Sequence, residues 1–176
     1  CDSWEELQQV IIDNIWWLRD NKVKIPDGQY KSSKGEFTVL NGKLEGEYKR
    51  WYSNGKLRVH CFYKEGELHG ERKEWYLNGE PTIHCFYKEG ELHGERKEWY
   101  SNGQLKAYEH YKEGELHGEC KEWWENGQLE VHCFYKEGEL HGERKIWYDN
   151  GKLRVHEHYK EGELHGERKE WYLNGE

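Results

Sequence analysis

Long apolar runs, a basic excess and an even set of cysteines are all missing from this chain of 176 residues. No stretch of about 18 apolar residues occurs, so the sequence predicts no membrane-spanning helix. The net charge of -8 argues against nucleic acid or anionic lipid as the main partner, because both attract basic surfaces. The 5 cysteines favour free thiols in a reducing, intracellular compartment over a disulfide framework.

Candidate catalytic residues are also scarce. Aspartate and serine are scattered, and no nucleophile recurs beside a base. Glutamate and histidine are abundant, but they repeat identically in every unit, whereas an active site is normally a unique convergence in a pocket. The sequence therefore predicts no enzyme, no catalytic residue and no cofactor.

The chain contains instead one segment repeated at a fixed interval. Y-K-E-G-E-L-H-G-E-R-K-E-W-Y-L-N-G at 63–79 recurs at 87–103, 111–127, 135–151 and 159–175, and a degenerate copy occupies 42–55. A fixed period, here 24 residues, is typical of repeat proteins whose units contact only their neighbours. Hydrophobic content is only 34%, but 10 Trp and 13 Tyr can bury enough area for a thin sheet to fold.

Three regions follow from these patterns. Residues 1–21 are predicted to form an N-terminal helical cap, with a capping box from Ser3 to Glu6 and apolar residues at helical spacing; the cap is expected to cover the first edge of the sheet. Residues 22–41 are predicted to be irregular strands with turns at Asp27-Gly28, Lys34-Gly35 and Asn41-Gly42. Residues 42–176 form the repeat array, whose last copy is truncated. We therefore expect an all-β fold, an elongated single-layer antiparallel β-hairpin array behind an α-helical cap.

The chain ends raise two alternatives. A mature chain that starts at Cys1 is compatible with a lipid anchor, as in a processed bacterial lipoprotein. At the other end, the sequence stops within a turn signal, so either further repeats follow or the last strand is a free edge. A free edge predicts self-association by strand pairing.

Each repeat carries two turn signals. Asn-Gly is the strongest signal for a two-residue type I′ turn, because both central residues need positive φ. Glu-Gly is weaker and is also compatible with a three-residue loop that has Gly in the left-handed position. Two-residue loops would place Arg96 opposite Glu109, Arg144 opposite Glu157 and Cys120 opposite Cys133.

Alternation along the strands then separates two faces. Val59, Cys61, Tyr63, Leu68, Arg72 and Glu74 fall on one face, and His60, Phe62, His69 and Trp75 on the other. No turn signal explains Gly70, so we expect it to admit a neighbouring tyrosine over the backbone. Ile146, where other repeats have Glu, is expected to be exposed.

The segment Gly66-Glu67-Leu68-His69-Gly70, within aromatic hairpins of this period, resembles the MORN repeat in its variant W-Y-x-N-G form, which occurs in bacteria and viruses. The resemblance covers roughly residues 39–176. It implies a β-hairpin rod used for protein association or membrane-proximal scaffolding.

The histidines are the obvious candidates for metal ligands, but spacing argues against them. Equivalent histidines lie two strands apart, about 9.6 Å, whereas zinc ligands lie about 2.0–2.3 Å from the ion. Neighbours such as His60 and Cys61 point to opposite faces. The sequence thus predicts no metal site. Cys120 and Cys133 face each other at a separation that a disulfide accepts, although two thiols are favoured.

The aromatic ladder is the best binding candidate. Its members either pack on the next repeat or form an exposed stripe that anchors an extended protein partner. They are Phe62, Trp75, Phe86, Trp99, Trp123, Phe134, Trp147 and Trp171. The predicted function is a non-catalytic scaffold for protein–protein interaction, with a membrane-associated module or an antitoxin-like or immunity protein as alternatives.

Overall fold

The computed structural model describes residues 4–20 and 22–173. It is an open, mostly antiparallel arrangement of β-hairpins preceded by one helix near the N-terminus, as predicted. Two compact units are present, residues 1–79 with 87–90, and residues 80–86 with 91–176.

The first unit contains helix α1 (Trp4–Asp20) and five strands. The strands pair antiparallel in chain order. They are β1 (Gly28–Lys31), β2 (Gly35–Leu40), β3 (Lys43–Trp51), β4 (Leu57–Lys64) and β5 (Glu67–Trp75).

The second unit is built from the later repeats, and its hairpins are again antiparallel. Strand β6 (Pro81–Lys88) belongs to this unit through residue 86. The other strands are β7 (Glu91–Trp99), β8 (Leu105–Lys112), β9 (Glu115–Leu116), β10 (Gly118–Trp123), β11 (Leu129–Lys136), β12 (Glu139–Leu140), β13 (Gly142–Trp147), β14 (Leu153–Lys160), β15 (Glu163–Leu164) and β16 (Lys169–Glu170).

Helix α1 covers the apolar core of the first unit. Its buried residues Ile11, Ile12 and Ile15 form one cluster with Tyr30, Phe37, Val39, Leu44, Tyr48, Cys61 and Tyr63 from β1–β4. The Arg50 guanidinium also donates a hydrogen bond to the carbonyl of Ile12. The helix thus lies on the sheet face, not only at the expected edge. Ser3 of the predicted capping box lies outside the described residues.

Of the two turns, Glu-Gly forms the predicted two-residue loop, whereas the two-residue loop predicted at Asn-Gly is wrong. Glu65 and Gly66 both have positive φ, 52° and 87°, so Glu-Gly forms the two-residue type I′ turn. At Asn-Gly only the glycine has positive φ, 84° at Gly103. The Tyr100 amide bonds the Gln104 carbonyl at 2.9 Å, which closes a three-residue loop.

The predicted register is nevertheless confirmed. A three-residue loop alone would pair Glu98 one residue away from the predicted partner. A β-bulge between Glu98 and Trp99 shifts the pairing back by one. Arg96 therefore faces Glu109, Arg144 faces Glu157 and Cys120 faces Cys133.

The expected hairpin turn at Asp27-Gly28 is wrong. Residues 23–26 are not in a strand, so no strand precedes Gly28 to pair with β1. The Asp27 carboxylate instead accepts a hydrogen bond from the Gly42 amide at 2.8 Å and stabilises the Asn41-Gly42 turn. The Asp27 side chain thus stabilises a turn that lies 15 residues later in the chain.

The explanation expected for Gly70 is also wrong. Its φ is 87°, and a Cβ built on it meets nothing within 4 Å, so space is not the constraint. The pairing of β4 with β5 shifts between Cys61 and Tyr63, which marks a bulge at His69-Gly70. Glycine is required there because an L side chain at this φ is strained.

Hydrogen bonds between successive repeats hold both ends of the hairpins. A tyrosine hydroxyl donates to the tryptophan carbonyl 23 residues later, at 2.8 Å for Tyr100 and Trp123. Trp124, which replaces the usual tyrosine, keeps the bond through its Nε1 to the Trp147 carbonyl at 3.3 Å. At the other end, the turn glycine donates to the leucine carbonyl of the preceding repeat, as Gly114 does to Leu92 at 3.0 Å.

Candidate protein-binding face

Residue pairing defines two faces of the sheet, because directly paired residues point to the same side. In the first unit, one column runs through Tyr30, Phe37, Tyr48, Cys61 and Arg72. We call this side the buried face, since α1 covers its first members. The other side is the aromatic face, on which His60 pairs with Lys49 and Lys73 and Phe62 pairs with Glu47.

The aromatic face of the second unit exposes phenylalanine rings. Phe86 is 38% exposed and Phe134 is 37% exposed. Each ring lies against a histidine two residues earlier, His84 and His132, with ring centroids 5.0 Å apart. Exposed phenylalanines supported in this way are rigid apolar contact points.

Ion pairs border the rings. Along each strand that faces the phenylalanines, a lysine bonds the glutamate two residues before it, as Lys121 does to Glu119 at 2.7 Å. His132 Nε2 lies 3.0 Å from the same carboxylate. The hydrogen bond from Lys121, followed by that from His132, lowers the pKa of Glu119, while partial burial works in the opposite direction. Lysine and glutamate thus neutralise each other on this face.

The predicted tryptophans lie elsewhere along the strands. All five are half-buried, and four of them end a strand beside an Asn-Gly loop, namely Trp75, Trp99, Trp123 and Trp147, whereas Trp171 follows β16. In the second unit, Trp99 pairs with Leu105, and Trp123 and Trp147 pair with the equivalent leucines. Phe62 faces Glu47, and Trp51 is four residues further along β3, which is about 13 Å. Within each unit, phenylalanines and tryptophans therefore form two separate columns. In the first unit these columns hold Phe62 and Trp75, and in the second Phe86, Phe134, Trp99, Trp123, Trp147 and Trp171.

The buried face of the second unit is polar and paired. Arg96 donates to Glu109 and Glu98 at 2.6 Å each. Arg144 bonds Glu157 at 2.8 Å, and Glu157 is only 4% exposed. The hydroxyls of Tyr111 and Tyr159 donate to Glu109 and Glu157 respectively. Burial and then the carboxylate of Glu109 raise the pKa of Tyr111 to about 12.

Ile146 belongs to this buried face. It pairs with Val131 on one side and Val155 on the other and is half-buried. The expected exposure of Ile146 is therefore wrong, because apolar neighbours on both adjacent strands flank it.

Cys120 and Cys133 are directly paired, buried and free thiols. Their mutual hydrogen bond, together with burial, raises the pKa of Cys120. Cys61 and Cys85 are also buried and free. The four cysteines among the described residues are thus small, buried core residues.

One group of possible metal ligands was missed from the sequence. Glu143, His156 and His158 bring their ligand atoms within 4.8 Å of one another. Equivalent histidines of different repeats are too far apart to share an ion, but His156 and His158 form an H-x-H pair on a single strand. That pair, combined with the confirmed register to Glu143, was the available signal.

Within residues 4–20 and 22–173, no helix has both the length and the apolar character that a membrane crossing requires.

Comparison with protein families agrees with the hairpin architecture. A family model described as MORN repeat variant matches five consecutive segments, residues 44–65, 68–89, 92–113, 116–137 and 140–161. A search of curated proteins gives no match. The matched segments make up more than half of the chain, and each contains the strands on both sides of one Asn-Gly loop. The chain therefore belongs to the MORN repeat variant family.

Proposed function

We propose that this chain is a non-catalytic scaffold that binds another protein on the aromatic face of its hairpin repeats. The observation that carries the proposal is the exposure of Phe86 and Phe134, 38% and 37%, on rings held by neighbouring histidines. Complete burial of an exposed phenylalanine is worth roughly 1.5–3 kcal/mol. Because these side chains are 38% and 37% exposed, a partner that covers them gains about a third of that for each ring.

The spacing of the columns indicates the form of the partner. Phe86 and Phe134 occupy equivalent positions two repeats apart, and His110 stands at the position between them. Two repeats are four strands, about 19 Å. A polyproline II segment advances about 18.6 Å in six residues and presents every third side chain to the same side. We therefore propose an extended segment with apolar side chains six positions apart, of the kind that aromatic grooves recognise.

The ion pairs make a charge-driven partner unfavourable on this face. Lys97 bonds Glu95 at 2.8 Å and Lys145 bonds Glu143 at 2.6 Å, so the lysines are occupied by carboxylates of the same strand. Binding should then depend weakly on salt. A membrane surface of anionic lipid would require free basic groups and would bind with strong salt dependence.

A displayed library of short random peptides, panned against the purified chain, tests this function. Enriched peptides are expected to carry apolar residues six positions apart. Their affinity should fall sharply in the double variant F86S/F134S. The matched control is L164S, because Leu164 is 49% exposed in the same unit but pairs with Tyr159 and so lies on the opposite face.

Enrichment that survives in F86S/F134S would overturn the aromatic face as the site. Salt-sensitive sedimentation of the chain with anionic vesicles would favour the membrane-associated alternative instead. Light scattering during the same measurements would detect self-association, which is the remaining outcome.

A further inference from the structure

We infer that Glu143, His156 and His158 form a site for a divalent transition-metal ion of the zinc type. His156 and His158 are two residues apart on β14, so their rings lie on the same face. Glu143 on β13 is paired directly with His158. Its Oε1 lies 3.5 Å from His156 Nε2 and 3.7 Å from His158 Nε2.

These distances suit tetrahedral coordination. Ligand atoms at about 2.0–2.2 Å from a zinc ion are separated from one another by about 3.3–3.6 Å. Two of the three separations already lie near this range, and the ring centroids of the histidines are 5.3 Å apart. Small rotations of the two imidazole rings would bring the third separation, between the two histidine nitrogens, into the same range. Two imidazoles and one carboxylate are ligands that zinc accepts, and the fourth position would be open to water.

A second observation also points to a ligand. Among the described residues, the buried Nε2 atom of His156 has no hydrogen-bond partner. A buried polar atom without a partner is costly, and metal coordination would satisfy it. Lys145 occupies only Oε2 of Glu143, at 2.6 Å, which leaves Oε1 toward the histidines.

The other described repeats each lack one ligand of this set. Where His132 lies 3.0 Å from Glu119, the second histidine position is Phe134. Where Glu95 faces His110, the first position is Tyr108. These natural differences supply substitutions that the fold already tolerates.

Titration of the untagged chain with Co²⁺, followed by visible absorption and calorimetry, tests the site. We expect one Co²⁺ per chain, displaced by Zn²⁺, with a spectrum free of thiolate charge-transfer bands. H158F should lower the affinity by more than an order of magnitude, and it restores the residue found at equivalent positions in other repeats. E143Q should act in the same direction.

The variant Y108H provides a gain-of-function control, because it adds the missing ligand beside Glu95 and His110. Lys97 bonds Oε2 of Glu95, and Oε1 faces residue 108, as in the Glu143 site. Its stoichiometry should rise to two Co²⁺ per chain. The inference is overturned if H158F binds Co²⁺ as tightly as the original chain, if Y108H leaves the stoichiometry unchanged, or if thiolate bands show that the buried cysteines hold the ion.

Discussion

Neutralising Glu157 is expected to destabilise the second unit more than neutralising its counterpart Glu109. Both carboxylates accept a hydrogen bond from an arginine on the neighbouring strand, Arg144 at 2.8 Å and Arg96 at 2.6 Å. Arg96 has a second partner in Glu98 at 2.6 Å. Among the described residues, Arg144 has no second carboxylate, because Ile146 stands at the corresponding position.

The magnitude follows from burial. Breaking a buried ion pair costs roughly 3–5 kcal/mol. The Arg144 side chain is 29% exposed and that of Glu157 is 5% exposed, so water recovers part of the loss. We expect E157Q to lower the free energy of unfolding by about 2–3 kcal/mol and E109Q by roughly 1 kcal/mol. Burial opposes the charge of Arg144, but the bond and attraction of Glu157 outweigh it and raise the arginine pKa.

The assay is guanidinium denaturation followed by tryptophan fluorescence, with hydrogen exchange of β13 and β14 as the local readout. A double-mutant cycle of E157Q with I146E tests the explanation more directly, because glutamate at position 146 recreates the arrangement of Arg96 and Glu98. I146E alone should be destabilising because it loses packing on Val131 and Val155, but E157Q should cost less in its presence. Equal losses for E157Q and E109Q, or a cycle without coupling, would refute the reasoning.

Three further predictions follow from the turns, the inter-repeat bonds and the ion pairs. Glu113 has a φ of 52°, a conformation that asparagine tolerates better than glutamate. E113N should therefore raise the free energy of unfolding, measured from denaturation curves, by roughly 0.5 kcal/mol or more. A loss of stability would contradict the turn assignment. Y100F removes the 2.8 Å bond to the Trp123 carbonyl and should cost about 1 kcal/mol by the same assay, whereas an unchanged midpoint would show that the bond contributes nothing. The pKa of Glu119 is lowered, first by the hydrogen bond from Lys121, so ionised Glu119 stabilises the folded state above the ordinary glutamate pKa and this stability is lost as pH falls through the lowered value. K121M should weaken this dependence of the free energy of unfolding on acid pH, measured by denaturation at a series of pH values. An identical dependence in K121M would argue against the pair.

The repeat made much of the fold predictable. Asn-Gly and Glu-Gly recur at a constant interval, and strand side chains alternate with a period of two, so hairpins, faces and register follow from local chemistry. Cys120 opposite Cys133 and Arg144 opposite Glu157 were predictable for this reason. The same alternation was sufficient to assign the phenylalanines to the aromatic face.

The turn geometries were harder to predict, because the longer loop at Asn-Gly and the bulge that follows it have opposite effects on the strand pairing. A three-residue loop at Asn-Gly followed by a bulge pairs Glu98 with Ala107, as a two-residue loop would. Charge at facing positions tests the pairing and not the loop. Backbone φ at Glu113 and Gly103 depends on how the whole hairpin twists, which no residue pattern of one strand specifies.

By itself, the sequence determined the hairpin repeat, its register, and which side chains share a face, since these depend on short-range periodicity. Only the tertiary structure decided which face helix α1 covers, why Gly70 must be glycine, and that phenylalanines and tryptophans form separate columns. It also decided that Glu143 Oε1 lies 3.5 Å from His156 Nε2 and 3.7 Å from His158 Nε2. These features depend on bulges and on side chains from neighbouring strands, where one residue of shift moves a side chain to the other face.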